Sequence, residues 1–67
     1  MDKNTSIIKN VRREIQEKKI TMVDLARAIG VNVHRLANIL CRGRRMSASE
    51  LLAIAQALNV SAEDLGK

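Results

Sequence analysis

Apolar residues recur along this chain at helical spacing, in short stripes interrupted at regular points. Ile8, Val11 and Ile15 lie three and four residues apart and predict a first helix over about Thr5 to Lys19 with one inward face. That helix ends on Lys18 and Lys19, where positive charge suits the negative end of the helix dipole. Leu25 and Ile29 stand one turn apart, as do Leu36 and Leu40, so two further segments each carry a stripe. Leu51, Ile54, Ala55 and Leu58 form the stripe of a fourth helix, Ala48 to Asn59, which should close the core. A short fifth helix runs from Ala62 to about Gly66.

The interruptions share a pattern. An apolar residue precedes a capping residue, and a leucine follows the cap by four: Ile20-Thr21 with Leu25, Val31-Asn32 with Leu36, Met46-Ser47 with Leu51, Val60-Ser61 with Leu65. The apolar pair is a hydrophobic staple, and the cap oxygen accepts bonds from amides that have no partner inside the helix. Thr21, Asn32, Ser47 and Ser61 are therefore the expected helix starts. Gly30 sits between the second and third helices, where a C-terminus needs left-handed dihedrals, and Asn59 can serve the fourth in the same way. Ala26 is small where two crossing helices must approach. The stretch from Ile20 to Arg45 thus predicts a helix, a tight turn and a second helix at a fixed angle.

Composition narrows the class. Sixty-seven residues make one small domain, residues 1–67, which buries only about 60 % of its extended surface. With no aromatic residue and no proline, the core must be aliphatic; a single cysteine excludes a disulfide framework and a closed four-ligand metal site. No apolar run approaches bilayer length and the N-terminal MDKNTS is polar, so a cytoplasmic protein without a membrane partner is expected.

Charge adds a direction. The formal net charge is +5, and from Leu25 to Ser49 there are five arginines and no acid. An anionic partner is expected. Three helices carry an acid three residues after the cap, Asp24, Glu50 and Asp64, as a capping box and the dipole both favour. The third helix has Arg35 there instead. A cation opposes the dipole at that point, which implies something negative outside the protein facing this helix end; the plainer alternative is an arginine bent into solvent. Arg42, Arg44 and Arg45 cluster after the third helix and with Arg35 are candidate phosphate contacts, a solvated basic loop being the alternative; Lys9, Arg12 and Arg13 are weaker candidates. His34 and Cys41 are seven residues apart on one helix, about 10 Å along its axis, too far for a nucleophile and its base. Cys41 reads as a small helix-end residue, and Met22 and Met46 as gap-fillers.

The segments LARAIGV and LLAIAQALNVSAEDL resemble the helix-turn-helix domain of the Cro and lambda-repressor type over nearly the whole chain. The resemblance implies an all-α, compact five-helix bundle that binds operator DNA as a dimer. Carried over by position, it assigns base reading to Asn32, Val33, His34 and Asn38. The chemistry agrees, because the Asn38 amide can pair bidentately with adenine and Val33 can meet a thymine methyl. A solvated helix residue and peripheral packing are the respective alternatives. Three departures stand out. Met22 replaces a frequent Gln at the start of helix two. Ile15 and Leu40 replace an Arg–Glu pair, so both partners are apolar together. The glycine after the third helix falls at Gly43 rather than at Arg42, so one extra residue extends or loosens that helix end.

The sequence therefore predicts a double-stranded-DNA-binding transcriptional regulator, a phage or bacterial repressor on a near-palindromic operator. It is expected to be a homodimer, weak without DNA; the resemblance implies an interface in the C-terminal segment with Leu52, Val60 and Leu65, the alternative for Leu65 being that it closes the monomer core. No enzyme activity, cofactor, metal or small-molecule ligand is expected. The rival reading is a protein-interaction module such as an antitoxin of the same fold, to which Met22 lends weight.

Overall fold

Five helices form in the computed structural model, which describes residues 3–66: α1 (Lys3–Lys18), α2 (Met22–Ile29), α3 (Val33–Arg42), α4 (Ala48–Leu58) and α5 (Ala62–Leu65). Met1 and Asp2, which open the polar MDKNTS segment, and Lys67 lie outside the described residues. No strand occurs among the described residues. The fold is all-α, as expected.

All four predicted caps hold. The Thr21, Ser47 and Ser61 hydroxyls each accept from the amide three residues on, Asp24, Glu50 and Asp64, at 3.0–3.1 Å. At Asn32 the bond is shorter in reach: the side-chain oxygen accepts from His34 N at 2.7 Å. Ser47 completes a capping box, with Glu50 reaching back to its amide.

Three of the four connections are one device repeated. Lys19, Gly30 and Asn59 take left-handed dihedrals, at φ 56°, 75° and 59°. The next amide in each case, that of Ile20, Val31 or Val60, bonds to the carbonyl five residues back. This is the Schellman closure. The same apolar residue then packs against the core and staples the next helix. One side chain ends a helix and aims the following one. Lys19 thus lies outside α1, as its left-handed terminator rather than its last helical residue. α1 also begins earlier than the apolar stripe indicates, at Lys3, because its first turn is tied to a distant loop described below.

Val11, Leu25, Leu36, Ile39, Ile54, Leu58 and Leu65 are fully buried, with Ile7, Ile8, Ala26, Leu40 and Ala55 around them. α2 packs on α3 and α4, and α1 crosses α3, α4 and α5. Ala26 is 3 % exposed, so its small side chain does let helices approach closely. Ile7 joins the core although the stripe begins at Ile8. Asn10 is buried too, and its amide donates to the Leu65 carbonyl at 2.7 Å, pinning α5 to α1. Leu65 is 2 % exposed within the single chain. It closes this core and is not available as a dimer contact; of the three interface candidates only Leu52 is exposed, with Val60 half-buried.

Candidate nucleic-acid interface

The site is built on the N-terminal turn of α3 and the loop that follows its C-terminus. Gly30 turns the chain sharply enough that α2 and α3 pack against each other while the start of α3 stays in solvent. Asn32 and His34 are exposed there. The Asn32 oxygen is committed to the His34 amide, which leaves its NH2 group for a ligand. Val33 is half-buried and packs against the core. Leu36, Ile39 and Leu40 face inward as their spacing requires. Asn38 is half-buried rather than fully on the outer face.

Arg35 departs from the sequence expectation. Its guanidinium donates Nε to Glu50 Oε2 at 2.7 Å and Nη2 to Glu50 Oε1 at 3.0 Å. A negative group for the cation at this helix start is supplied from within the protein, by α4. The hydrogen bond and charge of Arg35, with the Ser47 amide, hold the Glu50 carboxyl down at about 2 against the desolvation that opposes ionisation. The Arg35 pKa is raised by the same hydrogen bond and charge. Arg35 is exposed and keeps N–H donors beyond the two that Glu50 accepts.

The α3–α4 connection, Gly43-Arg44-Arg45-Met46-Ser47, keeps the order of left-handed residue, apolar residue and cap, with Arg44 and Arg45 inserted. Gly43 has φ 72°, and a side chain there would be strained although no atom lies close. The extra residue shows in the bonding. The Gly43 and Arg44 amides both donate to the Asn38 carbonyl, five and six residues back, so the last turn of α3 is wider than at the other ends. Arg42, Arg44 and Arg45 are all exposed. Asn4 of α1 grips this loop, donating to the Gly43 and Arg44 carbonyls at 3.3 Å and accepting the Met46 amide at 3.1 Å.

An exposed helix start beside an arginine loop, presented by a capped helix-turn-helix, is the arrangement that places side chains in a DNA groove and cations on its phosphates. A family model describing the Cro/C1-type HTH DNA-binding domain matches residues 10–67. The chain belongs to that family. Searches of curated proteins and of solved structures found no match. As a Cro/C1-type domain it is a DNA-binding module of transcription regulators. No helix among the described residues is long and apolar enough to cross a membrane, and no group of three or more His, Cys, Asp or Glu side chains there is placed to hold a metal. Met22, where the resemblance puts Gln, is half-buried and packs against the core. Cys41 is exposed near the end of α3.

Sequence reasoning missed Asn4, Asn10 and the Arg35–Glu50 pair. A signal for the first existed. Asn4 precedes Ile8, Val11 and Ile15 by four, seven and eleven residues, and so occupies the inward stripe as a polar residue. A polar side chain on a core face needs a partner.

Proposed function

We propose that this protein is a sequence-specific repressor of phage or bacterial type that occupies a near-palindromic operator as a homodimer. One observation carries the reading: the exposed turn of α3 and the exposed arginines of the following loop belong to a single stretch, Leu25 to Ser49, that contains five arginines and no acid. Asn32, Val33, His34 and Asn38 meet base edges in the major groove, and Arg42, Arg44 and Arg45 meet phosphates. Arg35, oriented by Glu50, offers its remaining N–H groups to a phosphate at the mouth of the groove. A single chain of this size reads too few base pairs to stand out among genomic competitors, which argues for two copies on half-sites about 34 Å apart. Leu52, 56 % exposed on α4, is the most exposed of the three residues expected at that contact.

Selection of bound duplexes from random DNA at stated salt tests the reading. A near-palindromic consensus bound by two chains per site, by mass, is the expected result. Retention of all sequences alike, or one chain per saturated site, overturns it.

A further inference from the structure

The geometry points to Asn4 as the positioning residue of the arginine loop, which makes the first turn of α1 part of the DNA-binding apparatus. The inference rests on the reading of Arg44 and Arg45 as phosphate contacts and goes beyond it by assigning the group that holds them in place. The matched family region begins at residue 10, so Asn4 lies outside it.

Four connections join the five helices. In three of them, local backbone bonds carry the chain from the left-handed residue through the apolar residue to the cap with nothing intervening. The fourth carries two extra residues, Arg44 and Arg45, between Gly43 and Met46. Local bonding there stops at Arg44, whose amide still reaches the Asn38 carbonyl at 3.3 Å. Asn4 supplies what the insertion lacks. Its Nδ2 donates to the carbonyls of Gly43 and Arg44, and its Oδ1 accepts from the Met46 amide, so one side-chain amide brackets both arginines from before and after. These bonds span 39, 40 and 42 residues of sequence. Nothing local duplicates them. A loop pinned at both ends of its arginine pair meets DNA already ordered, and the ordering entropy is not charged against binding. Asn4 itself touches no DNA; it acts through Arg44 and Arg45.

The test compares wild type with Asn4→Ala, Asn4→Asp and Asn10→Ala, each titrated with a random-sequence duplex over a salt series, alongside amide hydrogen exchange without DNA. Asn10→Ala removes the other interhelical asparagine clamp, on the Leu65 carbonyl away from the loop, and is the control for general loss of stability. Asn4→Ala is expected to speed exchange of the Met46 amide and to flatten the log–log salt slope by about one unit, the change that removing one phosphate neutralisation produces. Asn4→Asp keeps the acceptor for Met46 but loses both donations, and is expected to flatten the slope while Met46 stays protected. Asn10→Ala should lower the melting temperature and leave the slope unchanged.

A wild-type slope retained in Asn4→Ala overturns the assignment, whether or not the Met46 amide has become exposed. An equal loss of slope in Asn10→Ala also overturns it, because the effect would then follow stability rather than the loop. If wild type itself shows no salt-dependent DNA binding, the phosphate-contact reading falls first and this role falls with it.

Discussion

Arg35 and Glu50 meet through two parallel N–H···O bonds, at 2.7 and 3.0 Å, and so tie the first turn of α3 to the first turn of α4. The same carboxylate accepts the Ser47 amide at 3.0 Å, completing the capping box of α4. One side chain thereby caps its own helix and orients the arginine beside the proposed groove-facing turn. Charge-assisted, bidentate geometry makes this stronger than an ordinary surface pair.

The pair makes stability depend on acid pH in a stated direction. Glu50 is held at about 2, below the roughly 4.3 of an unfolded glutamate. A depressed carboxyl stabilises fully above its unfolded value and loses that contribution as pH falls through the folded one. Wild type should therefore exceed Glu50→Gln in urea midpoint at neutral pH, and the gap should close between about pH 4 and 2. A gap that does not change with pH would mean that ionisation of Glu50 contributes nothing.

Ile15 and Leu40 test the apolar replacement of an ion pair. Leu40 is 2 % exposed on α3 and Ile15 half-buried on α1, two helices that pack together. Leu40→Glu should cost about 3–5 kcal/mol, as for an uncompensated buried charge. Ile15→Arg should cost less, because a half-exposed stem lets the guanidinium reach water. Combined, the two should be less destabilised than the sum of the singles in a denaturation cycle. Simple additivity would separate the two side chains.

Leu36 is fully buried in α3, beneath the proposed recognition surface. Leu36→Ala should cost about 2–5 kcal/mol. Against a total stability of roughly 5 kcal/mol for a domain this small, most of the helical circular dichroism signal should melt near room temperature. Retention of a wild-type melting curve would contradict the packing.

Affinity and specificity should divide between Arg44 and Asn38. Arg44→Ala is expected to weaken operator and random duplex alike and to reduce the salt slope by about one unit. Asn38→Ala leaves the backbone carbonyl that anchors the Gly43 and Arg44 amides, so the loop should persist. Its cost, about 1–3 kcal/mol, should fall on the operator. Equal losses on both duplexes would remove Asn38 from the base-reading set.

The helix starts were legible in the sequence because a cap acts over two or three residues. Thr21, Asn32, Ser47 and Ser61 bond to amides that the chain itself brings near, whatever else packs around them. The left-handed ends at Gly30 and Asn59, and the inward face of Leu36, Ile39 and Leu40, are local or periodic in the same sense. Only the tertiary structure decided what Arg35, Asn4 and Asn10 do. Their partners lie 15, about 40 and 55 residues away, and meet them only once the helices have crossed at particular angles. Arg35 shows the consequence most plainly: its position at the start of α3 was readable as a cation opposing a dipole, but the counter-charge belongs to α4. Spacing along a chain carries no information about which side chains two packed helices bring within 3 Å.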